Sequence, residues 1–213
     1  MVMAGSPTGG RRTQRERREQ TRARLIEATI TCLARHGYQA TTTRRVAEIA
    51  SVSLGALAHH FPSRLELITG ALDEVSHRMY LGLPAAVDAR SGPGQDPAQV
   101  LDALWSLFSG DLFTVWAKVW LAAGEDPDLH AAMVPLEARI AATIAETVAA
   151  AAPTTPPQRS WTRRMGIVLD AMRGRAFITR FQPRLTEAPD SWPAMRSELT
   201  ALLADVTTDR ARA

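Results

Sequence analysis

The chain has 213 residues, 46% of them hydrophobic and 22% charged, which suits a folded protein of one or two domains and excludes bulk disorder. Its formal net charge of +3 hides an asymmetry: eleven arginines face five glutamates through residue 69, whereas the rest is net acidic. A basic front and an acidic back point to a polyanion meeting the front.

Cys32 is the single cysteine, so an intrachain disulfide or a cysteine-rich metal site is excluded; the five histidines are scattered and no metal or other cofactor is expected. Met1 to Gly10 lacks an apolar core of the kind a signal peptide carries, and no uncharged apolar run reaches about 18 residues. A cytoplasmic protein without a membrane partner is expected. Every basic residue except Lys118 is arginine, which with the heavy alanine use reads as genomic composition; the positions of the charges carry the information.

Residues 1–14 are read as a disordered basic arm. Seven arginines fall within 11–24, and Arg11 to Arg18 either enter a minor groove or remain a solvated run. Helical spacing then begins. Ile26, Ile30 and Leu33, flanked by Leu25 and Thr29, predict a first helix over about 15–36, stopped at Gly37. Thr42 can cap a short helix 43–50 whose inner face is Val46, Ala47 and Ala50. After Ser51-Val52-Ser53, Ser53 can cap a second short helix, 54–60, with Leu57 pointing inward. Phe61-Pro62 ends it, and Ser63 with Glu66 forms a capping box that opens a fourth helix toward residue 90, bent at Pro84.

Two short helices joined by a three-residue turn against a longer one make a helix-turn-helix over 15–62. Val52 and Leu57 plug the corner, and small Ala47 permits a close crossing. Leu54, Gly55, Ala56, Ala58 and His59 are left mostly outward on a helix slim enough for the major groove. Thr42, Thr43, Arg44 and Arg45 crowd the start of the preceding helix, whose free N–H groups suit a phosphate. Arg45 stands where an acid would complete a capping box, which leaves it available to DNA. His59 is expected outward and His60 partly packed.

The run from Gly37 to Arg64 resembles the DNA-binding domain of the tetracycline-repressor (TetR) family, with the close resemblance covering about residues 20–70. It implies DNA contacts at Thr42, Thr43, Arg44, Arg45, Ser53, Leu54, Gly55, Ala56, Ala58, His59 and Arg64. Three departures stand out. Ser51 replaces the usual glycine at a turn residue often in the left-handed region, at a cost of up to ~1 kcal/mol. Ala58 replaces the usual tyrosine and loses a phosphate contact, for which His59 or His60 is the replacement. Arg64 replaces the usual lysine and is expected to reach a phosphate.

Beyond a linker at 91–97, helices are predicted at about 97–109, 111–123, 127–152, 157–182 and 190–207. The fold class is therefore all-α: a three-helix reading head followed by a helical ligand-binding and dimerisation domain over 63–213, about nine helices in total. Trp105, Phe108, Phe113, Trp116 and Trp120 concentrate aromatic surface there. With Met79, Met133 and Met172 they serve either ordinary core packing or the wall of a mainly apolar ligand cavity. In 157–182 one stripe runs Trp161, Met165, Val168, Met172, Ala176 and another Ile167, Ala171, Gly174, Ile178, Phe181, so two partners are needed. Trp192, Met195, Leu199, Leu202 and Val206 step by three and four like a seam. Full burial within one subunit is the alternative to a homodimer through a four-helix bundle, which the resemblance also implies.

The resulting expectation is a dimeric regulator, most often a repressor in that family, on a near-palindromic operator and released by a small molecule. A non-specific architectural DNA-binding protein is the alternative. An enzyme lacks any phosphate loop, nucleophile–base pair or metal cluster in the sequence to support it.

Overall fold

The computed structural model describes residues 13–80, 96–150, 158–181 and 191–204. Nine helices and no strand occur among them: α1 (Gln14–Ala40), α2 (Thr43–Ala50), α3 (Leu54–His60), α4 (Arg64–Tyr80), α5 (Pro97–Ser109), α6 (Asp111–Ala123), α7 (Pro127–Ala150), α8 (Gln158–Phe181) and α9 (Ser191–Ala204). Residues 1–12, the Pro84 bend and most of the 91–97 linker lie outside the described residues.

The chain is ordered earlier than the sequence suggested. Thr13 and Glu16 form a reciprocal capping box: the Glu16 N–H donates to Thr13 Oγ1 at 3.2 Å and the Thr13 N–H to Glu16 Oε2 at 2.9 Å. Thr13 and Gln14, placed in the arm by the sequence reading, are instead the cap and first residue of α1. Gly37 interrupts α1 as expected, at φ 77°, but the chain regains helical geometry to Ala40. Thr41 closes this end, its hydroxyl donating to the Gly37 carbonyl at 2.7 Å.

Leu25, Leu33, Val46, Leu57, Leu67 and Ile68 are fully or almost fully buried and hold α1 through α4 together. Close approach is strict at Gly70, where a Cβ would stand 3.1 Å from the Phe61 ring. The cap of α4 differs from the expected box in one half. The Glu66 N–H donates to Ser63 Oγ, but the Ser63 hydroxyl donates to the Glu66 carboxylate.

The core continues without a break into α5–α9. Helix α6 packs on α1 as well as on α7, so one element of the rear bundle rests directly on the reading head. Polar pins reinforce this contact. The Tyr38 hydroxyl donates to Asp126 Oδ2 at 2.6 Å, and Lys118 donates to the Ala34 carbonyl. Arg78 on α4 pairs with Glu27 on α1 and with Glu74.

The two stripes of α8 separate as their spacing requires. Trp161, Met165, Val168, Met172 and Ala176 are buried. Ile167, Gly174, Ile178 and Phe181 are exposed, with Ala171 half-buried. The face of α9 expected as a seam makes contacts within the subunit. Trp192 stacks on Trp105 with ring centroids 4.5 Å apart and donates to Asp102, and Leu199 is 8% exposed. Met195 and Leu202 also pack against the core, so this face covers α5 and α8 within the subunit. Val206 lies outside the described residues.

Candidate nucleic-acid interface and ligand cavity

Helices α2 and α3 are positioned by their caps. Thr42 Oγ1 accepts the Arg45 N–H at 3.2 Å and Ser53 Oγ accepts the Ala56 N–H at 3.1 Å. Between them Ser51 sits in the left-handed region, φ 53° and ψ 49°, and its N–H closes the end of α2. The usual turn geometry is thus kept without glycine. The outer face of this unit carries Leu54 (53% exposed), Gly55, Ala58 and His59, all exposed, whereas Ala56 is half-buried rather than outward. Thr42 is exposed and Thr43 half-buried at the start of α2. Ile49, not singled out from sequence, is exposed beside them.

The arginines divide into three kinds. Arg44 projects into solvent, its side chain 82% exposed and paired only with the equally peripheral Glu48 at 3.1 Å. Such a surface pair is worth little. Arg45 is exposed, but its Nη1 donates to the Ala40 carbonyl at 2.7 Å, so it is not left free as the missing acid suggested.

Arg64 is the most engaged of the three. Its Nε donates to the Thr41 carbonyl at 2.8 Å, its Nη2 to the Tyr38 carbonyl at 2.5 Å, and its guanidinium lies 4.1 Å from the Tyr38 ring centroid. It thereby ties α4 to the end of α1. Sequence gave no sign of this, because the acceptors lie 23 and 26 residues away.

Local electrostatics follow from these positions. Partial burial first, then the positive charges near it at His59, Arg18 and Arg22, push the His60 imidazole below its ordinary pKa. Burial and the bond to Asp126 push the Tyr38 phenol up. The same bond, with the Leu129 N–H, holds Asp126 below the usual carboxylate range.

Residues 25–70 match the family described as bacterial regulatory proteins, tetR family. That segment therefore carries a DNA-binding domain of the tetR family. It is similar to the HTH-type transcriptional regulator CymR of Pseudomonas putida, 34% identical over 121 residues, which are 56% of this chain and 59% of that protein. It is also similar to the HTH-type transcriptional repressor KstR of Mycolicibacterium smegmatis, 36% identical over 44% of this chain and 42% of that one. These matches thus span about half the length of the curated relatives. A solved structure of a TetR-family member from Streptomyces coelicolor superposes with a TM-score of 0.64 at 25% identity, covering 86% of this chain and 98% of that one.

Behind the tetR-family head lies a cavity of about 300 Å³ between α4, α5, α6, α7 and α8. Four of the sequence-predicted residues line it: Phe108, Phe113, Trp116 and Trp120. Met79, Met133 and Met172 instead fill the core, and Trp105 is occupied by its stack on Trp192. Their helical spacing alone could not separate wall from core. Six lining residues that sequence reasoning did not select are Tyr80, Ala117, Leu121, Glu137, Arg173 and Phe177, and Gly174 on the outer α8 stripe lines the cavity too. The Trp116 Nε1–H donates to Glu137 Oε1 at 2.8 Å, fixing both across the α6–α7 gap. Trp120, exposed at the rim, stacks on His130 with centroids 5.7 Å apart.

Proposed function

We propose that the chain is a sequence-specific DNA-binding transcription regulator, acting as a repressor, whose α3 enters a major groove. The observation that carries this reading is the capped α2–α3 unit. It presents small exposed side chains at the tip, with Arg44 free to turn from Glu48 to a phosphate. His59 is the only ring donor on that tip among the described residues, so base readout is sparse and affinity rests on phosphates. Ala58 brings no hydroxyl to the backbone, and His59 takes that place.

The outer stripe of α8, with Ile167, Gly174 and Ile178 exposed and Ala171 half-buried between them, supports a second copy packing there, giving two reading heads. Half-sites would then lie about 34–36 Å apart or a multiple of that, on a near-palindromic operator.

The cavity is read as the effector site. Helix α6 provides both its wall, through Trp116 and Trp120, and the head contact, through Lys118 on Ala34. Asp126, just beyond α6, holds Tyr38. A ligand that shifts α6 therefore shifts α1, and it alters DNA occupancy only by its difference in affinity between the two head arrangements.

Selection from random duplex DNA tests the reading. Enrichment of one palindromic site, with affinity falling steeply in salt, is expected. Uniform binding to all sequences would instead make the chain a non-specific architectural protein, and no binding would overturn the proposal. No group of three or more His, Cys, Asp or Glu side chains suited to a metal occurs among the described residues. No described helix is long and apolar enough to cross a membrane.

A further inference from the structure

The aromatic walls of the cavity would accept many flat molecules, so its polar groups decide what it selects. Three lining residues carry polar ends: the hydroxyl of Tyr80, the carboxylate of Glu137 and the guanidinium of Arg173. Glu137 is already engaged, one oxygen accepting the indole N–H of Trp116. Arg173 is in the opposite position. Arg78, Arg139, Arg180 and Arg196 each meet a carboxylate, whereas Arg173 meets none among the described residues. Its guanidinium lies 5.6 Å from the centre of the Phe108 ring. A half-buried guanidinium held against an aromatic face, with its fork of donors unclaimed, is organised for a planar anion.

Tyr80 complements it. Burial pushes the phenol up to about 12, so it stays protonated and offers a hydroxyl donor. Arg173 and Tyr80 are therefore donors on the same cavity, and the ring faces of Phe113, Trp116 and Trp120 supply a slot for an aromatic body.

We propose that the cavity selects aromatic carboxylates, the carboxylate taken by Arg173 and Tyr80 and the ring system lying among Phe113, Trp116 and Trp120. This rests on reading the cavity as the effector site.

The test uses the full chain and three probes sharing one ring system: 2-naphthoate, 2-naphthylmethanol and 2-naphthylmethylammonium, titrated by calorimetry and tryptophan fluorescence. Naphthoate should bind at least tenfold more tightly than the other two. Arg173→Gln should remove that preference while leaving the alcohol's affinity within about twofold, and Arg173→Lys should restore part of it. Tyr80→Phe should weaken naphthoate by a smaller factor. Circular dichroism of each variant separates these losses from misfolding. Equal binding of all three probes would overturn the anion selection while keeping an apolar effector cavity. Tighter binding of the ammonium, abolished by Glu137→Gln, would overturn it in favour of a cation site. Binding of none of the three would sink the effector reading together with the selection.

Discussion

Replacing Arg64 separates a structural tie from a DNA contact. Arg64→Met keeps the stem and removes the guanidinium, which donates to the Thr41 and Tyr38 carbonyls and covers the Tyr38 ring. The Tyr38 carbonyl still accepts the Thr41 N–H at 3.1 Å, but the bond that Arg64 supplies to the almost fully buried Thr41 is lost. Hydrogen bonds from a charged donor contribute roughly 1.5–3 kcal/mol each, and an exposed cation–ring contact about 0.5–1 kcal/mol. Arg64 is half-buried and these contributions overlap, so a net loss of about 2–4 kcal/mol is expected rather than their sum. At roughly 2–4 °C per kcal/mol for a chain of this size, the melting temperature should fall by about 5–15 °C.

Arg64→Lys retains the charge that a phosphate contact needs but cannot span two carbonyls and a ring, and it should recover less than half of the loss. Thermal unfolding followed by circular dichroism reads the stability. Fluorescence anisotropy with the selected duplex, measured well below the melting transition, reads the affinity. If Arg64→Met melts with the wild type while losing DNA affinity, and Arg64→Lys binds normally, the residue is a phosphate contact and the structural reasoning is refuted.

Three further outcomes follow from particular geometries. Ser51→Gly relieves a left-handed backbone at the cost of a freer unfolded chain, for a net gain of about 0.5–1 kcal/mol in thermal unfolding; a lower melting temperature would mean that Ser51 is not strained. His60 has its folded pKa below the ordinary 6.5, so the unfolded state binds the extra proton first. Its contribution to stability is complete above pH 6.5 and is lost as the pH falls below that value. His60→Gln should flatten the pH dependence of melting there, and an unchanged slope would contradict the assignment. Ile167→Glu places a charge on an apolar residue that is 55% exposed, so sedimentation should show dissociation to monomers at unchanged helicity. A persistent dimer would exclude that face as the contact.

The local pieces of this protein were legible in its residues because their causes are local. Thr42, Ser53 and Ser63 cap within three residues of themselves, Gly37 and Ser51 mark turns, and the period of the buried α8 stripe states which side faces inward. These were enough to place the reading head and to give α8 two faces.

What sequence could not decide was which of several equivalent residues meets which distant partner. Arg44, Arg45 and Arg64 are the same side chain, and only the approach of α4 to the end of α1 makes the last a tie between carbonyls. Met133 and Met172 are as apolar as Phe113 and Trp116, and helix packing alone sorts the first pair into the core and the second onto a cavity. Tyr80, Glu137 and Arg173 carry no shared spacing, since they arrive from three helices.

The division of charge at residue 69 is written in the chain itself, because it needs only a count. The use of that charge is tertiary. Arg44 stands in solvent, whereas Arg64 and Arg78 are drawn into bonds that hold the head and join it to the body, because a guanidinium leaving water must find acceptors wherever the fold brings them.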